Sequence, residues 1–186
     1  MRVAVFTGAK TGRSELVRDA VAEFGTQLAK AGIGIVYGGG RVGLMGVVAD
    51  AALAAGGSVI GVIPQSLVDA EVAHAGLTEL RVVETMHQRK AAMVELADAF
   101  VALPGGTGTL DELFEAWTWQ RLGIHDKPVA LLNVDGFWDP LCATLDHLRS
   151  AGFIGDTDPL LIAEDAEHFL SLARAFTPAG SRLRGA

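Results

Sequence analysis

Cysteine is almost missing from this chain: Cys142 is the single one in 186 residues. An internal disulfide is therefore excluded, and neither a redox pair nor a cysteine metal cluster can be assembled. The thiol itself is expected to be a small buried hydrophobe on a helix. Long apolar runs are missing too. The most hydrophobic region, Val42 to Ile63, is broken by Asp50 and Gly56-Gly57, which excludes a membrane span there. Met1 leads directly into the strand-like run Arg2 to Phe6, too short for a secretory core and without a cleavage pattern, so a cytoplasmic location is expected. Basic residues are in deficit, with 15 Lys and Arg against 22 Asp and Glu, a formal net charge of −7. That balance argues against a nucleic-acid or anionic-membrane partner, and an anionic ligand would have to be held by local donors. The five histidines, His74, His87, His125, His147 and His168, show no HExxH or clustered spacing, so no metal site is expected. His87 is expected to pack or bond locally.

What the chain does have is apolar content: half of its residues are hydrophobic and the mean hydropathy is +0.35. For a chain of this size, part of that surface is expected to lie in a subunit interface. Short apolar runs alternate with longer amphipathic segments, the pattern of a parallel sheet covered on both faces by helices. The fold class read from this is α/β, a doubly wound parallel sheet of Rossmann-like type. Strands are expected near Val3 to Phe6, Gly34 to Tyr37, Ser58 to Val62, Leu80 to Val83, Ala99 to Leu103 and Val129 to Leu132. Helices are expected from about Ser14 to Ala31 and from Leu44 to Ala55, each stopped by glycine. Two more open at the capping-box spacings Thr85 to Gln88 and Thr109 to Glu112, and others lie near Phe137 to Ser150 and Asp165 to Ala175. One domain spanning 1–176 is expected, with 177–186 as a frayed tail.

In such sheets ligands sit beyond the carboxyl ends of the strands, and four strand exits here are chemically loaded. They are Thr7 to Gly12, Gly38 to Gly43, Glu84 to Lys90, and the turn Pro104-Gly105-Gly106-Thr107-Gly108-Thr109-Leu110-Asp111-Glu112. The last is the most informative. Its glycines let backbone approach an anion, and the first N–H groups of the following helix point outward at the positive end of its dipole. Glu112 would repel a phosphate but could stabilise a cation beside one.

Each signal has a plainer reading. Gly38 to Gly43 matches G-x-G-x-x-G, yet the following strand ends in Ile63-Pro64-Gln65 where a dinucleotide site needs an acid. Gly8 to Ser14 resembles a P-loop only superficially, with Gly8 and Gly12 too close and Arg13 in place of Lys. Arg89 and Lys90 stand near the start of their helix, where the dipole disfavours cations by about 0.3–1 kcal/mol each. They either pair with Glu84 or Glu95 at the surface or serve as donors aimed into the crevice. Glu112 is either a capping-box residue under Thr109 or a working carboxylate. Phe114, Trp117 and Trp119 are expected in core or interface.

Pro104 to Glu112, together with Met86-His87-Gln88-Arg89-Lys90 and Tyr37 to Gly46, resembles the LONELY GUY family. These are cytokinin riboside 5′-monophosphate phosphoribohydrolases, often mislabelled lysine decarboxylases. The likeness runs from the first strand to about Phe153. It implies that Arg89 and Glu112 are catalytic and that Lys90 with Gly106 through Thr109 holds the nucleotide, with Glu71 and Thr118 also at ligand-contacting positions. The full candidate binding set adds Gly8, Gly39, Gly105, Leu110 and Asp111. The resemblance further implies a homodimer whose partner borders the site, a small-molecule nucleotide such as AMP or a cytokinin ribotide, and no cofactor. The family's first loop usually reads Cys-Gly-Ser-Ser, whereas Thr7-Gly8-Ala9-Lys10 loses the serine hydroxyls and gains a cation. The rival expectation is a non-catalytic nucleotide carrier of the same fold. No pyridoxal-phosphate lysine context supports a decarboxylase.

Overall fold

Every second residue of a strand faces the same way, so a strand buried throughout must be covered on both sides. Strand β1 (Arg2–Phe6) shows this: Val3 and Val5 enter one apolar cluster, Ala4 and Phe6 the other. The computed structural model describes residues 1–70, 72–155 and 160–178. After β1 come α1 (Glu15–Lys30), β2 (Gly34–Tyr37), α2 (Gly43–Ala54), β3 (Val59–Pro64), α3 (Gln65–Asp69) and β4 (Glu79–Val83). Then follow α4 (Met86–Leu96), β5 (Ala99–Ala102), α5 (Thr107–Arg121), β6 (Val129–Leu132), α6 (Asp139–Ser150), β7 (Leu161–Ala163) and α7 (Ala166–Ala175). The strands form one sheet in the order β4-β3-β2-β1-β5-β6-β7, with every pairing parallel. Helices α1, α2 and α7 cover one face, through Phe24, Val48 and Phe169 among others. Helices α4, α5 and α6 cover the other, through Met93, Trp117 and Leu145.

The strand order places the crevice. From β1 the chain winds outward through β2, β3 and β4, then returns to β5 on the other side of β1 and winds away through β6 and β7. The segments leaving β1 and β5 therefore diverge, and the gap between them is where a doubly wound sheet binds ligands. β1 and β5 are in register from Val3↔Ala99 to Phe6↔Ala102, so both chains leave the sheet at the same height.

Several expectations need correction. A seventh strand, β7, was not foreseen because three residues are too few to show a period. The five-residue α3 was missed for the same reason. Helix α6 begins at Asp139, since Val134–Gly136 forms a 3₁₀ turn first. Helix α5 begins at Thr107, with Gly106 at its N-cap and no side-chain cap, so the Thr109 capping box does not exist. The box at Thr85 does: its hydroxyl accepts from Gln88 N at 3.2 Å while Gln88 Oε1 accepts from Thr85 N at 3.2 Å. Cys142 is half-buried on α6, not fully enclosed, and burial raises its thiol pKa. His87 is exposed. Most of the expected tail, and Glu71, lie outside the described residues.

No helix among the described residues is long and apolar enough to cross a membrane. The pairing of Phe24 with Phe169, ring centroids 5.7 Å apart, ties α1 to α7. Phe169→Ala is expected to cost about 3–5 kcal/mol in urea unfolding, the range for deleting a buried aromatic ring.

Candidate active site

The two lips of the crevice touch. Gly8 N donates to the Pro104 carbonyl at 3.2 Å, and Met45 N donates to the Gly8 carbonyl at 3.3 Å. A side chain on Gly8 would press the Gly105 Cα at 3.3 Å, and one on Gly105 would meet Gly8 N at 2.9 Å. Glycine on both sides lets the β1 and β5 exits lie backbone to backbone. Beyond this contact opens a cleft of about 540 Å³, within the usual range for small-molecule sites. Gly8 to Ser14 line one wall, Gly105 to Thr109 the other, and Gly38, Arg89 and Glu112 also line it.

The amino end of α5 faces this space without a cap. Gly106 offers no side chain, and nothing lies within 4 Å of where one would start on Gly106 or Gly108. The first N–H groups of a fifteen-residue helix are thus presented to the cleft. Thr109 is buried and its hydroxyl has no hydrogen-bond partner among the described residues, a deficit that costs about 1–3 kcal/mol.

Arg89 is one of the few buried charged residues, 7% exposed on the second turn of α4. Its Nε donates to the Val62 carbonyl at 3.1 Å, and its Nη2 stands 3.5 Å from Glu112 Oε1. It can lie there because Gly38 has no side chain: a methyl at that position would be 1.7 Å from Nη2. Tyr37 fixes the same turn from below, donating to the Gly40 carbonyl at 3.1 Å. Burial, then the charge of Asp50, raises that phenol's pKa and keeps it neutral.

Glu112 is enclosed to a similar degree, its side chain 10% exposed. Among the described residues no group hydrogen-bonds its carboxylate, and Arg89 is its ion-pair partner. Burial pushes its pKa up to about 7, against the pull of Arg89 and with a further push from Asp111. With no cap to form, the structure leaves the plain reading of Glu112 without support. Of the two readings of Arg89, the contact with Glu112 favours the one aimed into the crevice over surface pairing with Glu84 or Glu95.

Lys90 is placed differently. Its ammonium lies 3.2 Å from Asp111 and 2.8 Å from Glu115, joining α4 to α5 beside the cleft and not within its lining. Burial lowers its pKa, but the hydrogen bonds and charges of Glu115 and Asp111 outweigh that and raise it. Of the candidate residues, Gly8, Arg89, Gly105, Gly106, Thr107, Gly108, Thr109 and Glu112 meet in the cleft. Gly39 lies under Ile63 and Leu80, Leu110 packs into the core, and Asp111 and Thr118 are exposed on α5. Phe137, after β6, and Leu44 and Met45 of α2 line the cleft without having been singled out. No residue spacing marks them. Among the described residues no group of three His, Cys, Asp or Glu side chains could hold a metal ion.

An all-parallel open sheet with an anion-receptive helix end and a buried carboxylate at its switch point defines an α/β ligand-binding protein of the doubly wound class. A family model described as "Possible lysine decarboxylase" matches residues 45–172. The chain is 47% identical over 170 residues to a probable cytokinin riboside 5′-monophosphate phosphoribohydrolase of Oryza sativa subsp. japonica, covering 91% of this chain and 76% of that one. It is 47% identical over 176 residues to the cytokinin riboside 5′-monophosphate phosphoribohydrolase of Rhodococcoides fascians, covering 93% and 89%. The chain belongs to the LONELY GUY family. A molybdenum cofactor binding protein from Rippkaea orientalis shares the fold at 22% identity, with a TM-score of 0.70 and coverage of 94% and 95%.

Gly38→Ala is expected to force the guanidinium away from Glu112 and, by removing the cation's pull, to raise the Glu112 pKa above the value of about 7 in the parent. Carboxyl carbon NMR across a pH titration measures the shift.

Proposed function

We propose that this protein hydrolyses the N-glycosidic bond of a purine nucleoside 5′-monophosphate, AMP or an N6-substituted cytokinin ribotide, giving free base and ribose 5-phosphate. One observation carries the reading: a buried carboxylate without a hydrogen bond shares its cleft with an uncapped helix amino terminus. The backbone N–H groups of Gly106 to Thr109 hold the 5′-phosphate, and that remote binding sets the anomeric carbon against Glu112. As the C1′–N9 bond breaks, its electron pair leaves with the base and positive charge develops on the ribose. The preformed carboxylate stabilises that charge more than it does the neutral sugar. The departing base takes a proton from solvent, water adds to C1′ and passes its proton to Glu112, and Glu112 returns that proton to solvent. Arg89 positions the carboxylate. A carrier has no need of a carboxylate that repels the phosphate it binds, so the pair favours an enzyme.

We further propose a cytoplasmic homodimer. Phe114 and Thr118 of α5 and Leu122 at its C-cap follow one another at four-residue spacing, and all three are exposed. With Met86 on α4, also exposed, they supply apolar surface. Pairing through this face would bring Thr118 to a second protomer, which supports its ligand-contacting role. Phe114→Glu is expected to convert the dimer to monomer in light scattering.

Glu112→Gln is expected to lower adenine release from AMP by about 10³-fold, the scale for losing a preorganised charge-stabilising group, while AMP still binds. Chromatography of the released base checks the first and calorimetry the second. Because the working form is the anion and its pKa is about 7, kcat/KM is expected to rise about tenfold per pH unit below 7 and level off above it. Isopentenyladenosine monophosphate compared with AMP tests the base preference.

A further inference from the structure

The chain carries a net charge of −7, yet the charged side chains lining its cleft are Lys10, Arg13, Arg89 and Glu112, three cations and one anion. Arg89 is held by Val62 and Glu112. Lys90, the cation adjacent in sequence, is held by Asp111 and Glu115 outside the lining. Lys10 and Arg13 have no hydrogen bond or ion pair among the described residues, and both are exposed. They line the same cleft as the open amino terminus of α5. The lips are fixed to each other at Gly8 and Pro104, and Lys10 is two Cα steps, at most about 7.6 Å, from Gly8. A flexible four-carbon stem lets its ammonium extend into the cleft that Gly106 to Thr109 also line.

We propose that Lys10 and Arg13 are the phosphate-reading arm of this cleft. They close on the 5′-phosphate of a nucleotide seated at the α5 amino terminus, so that discrimination against the phosphate-free nucleoside rests on them and not on Lys90. The inference builds on the nucleotide reading above and deepens it. The phosphate carries a charge of about −1.5 to −2 at neutral pH, which backbone N–H groups alone do not neutralise. Lys10 supplies at this loop a mobile full charge where the family's usual serine would supply a hydroxyl. Lys90, bound to two carboxylates, instead fixes α4 against α5.

The test is calorimetric titration of AMP and adenosine into the full chain in a Glu112→Gln background, so that turnover does not intervene. Lys10→Ser with Arg13→Ser is expected to weaken AMP by about tenfold, the scale of two partly solvated charge contacts. Adenosine affinity should change less than twofold, and raising the salt should erase most of the AMP difference. Exchanging the pair to Lys10→Arg with Arg13→Lys is expected to restore AMP binding. Lys30→Ser, which removes one charge at the far end of α1, should leave it unaltered. AMP affinity within twofold of the parent in the double serine variant overturns the proposal. So does equal weakening of adenosine, or a Lys30→Ser effect as large as that of the pair. Failure of the hydrolase reading shows separately, as no free base released by the wild-type chain from AMP or from isopentenyladenosine monophosphate, and the binding ratios decide the phosphate arm regardless. A parent that binds no AMP overturns both.

Discussion

The site depends on a buried guanidinium with a fixed address. Arg89 is taken out of water by α4, and a desolvated charge is tolerated only with partners. Val62 at the end of β3 supplies one, Glu112 on α5 another, and Gly38 at the exit of β2 supplies room. Two sheet positions and two helices thus converge on one side chain. Glu112 in turn has its ionisation set between the cost of its own burial and the pull of that cation. Without Arg89 in place, the carboxylate would be an uncompensated acid in an enclosed cleft, and it would hold its proton well above neutrality.

Much of this was legible in residue patterns. Alternating apolar runs located six of the seven strands, and the loaded exits after β1 and β5 turned out to be neighbours across the switch point. The pairing of Thr85 with Gln88 followed from local spacing because a capping box is made within four residues. Thr109 to Glu112 has the same spacing and a different outcome. There the glycines at 105 and 106 let the chain enter the helix three residues earlier, and tight packing of the two lips decided the start. Local signals cannot register that kind of long-range contact. For the same reason the sequence placed Arg89 and Lys90 together as donors, while the structure separates them by helix face: one turns inward to Glu112 and the other sideways to Asp111 and Glu115.

The fold is shared with proteins of about 22% identity, and a doubly wound sheet by itself assigns no chemistry. What the architecture provides is a gap between diverging chains and a helix dipole aimed into it. The particular chemistry comes from side chains set on that frame, and here the cleft combines donors for an anion with an acid poised near neutrality. Family membership through relatives covering over 90% of the chain extends this from single residues to the whole domain.

The Lys90 cluster has a mechanical meaning. By lacing α4 to α5 with two carboxylates, it couples the helix that bears the guanidinium to the one that bears the acid. The guanidinium and the acid therefore ride on helices tied to each other. A neighbour leaning on the outer surface of either helix would tilt both groups in concert, preserving their spacing while changing their aim into the cleft.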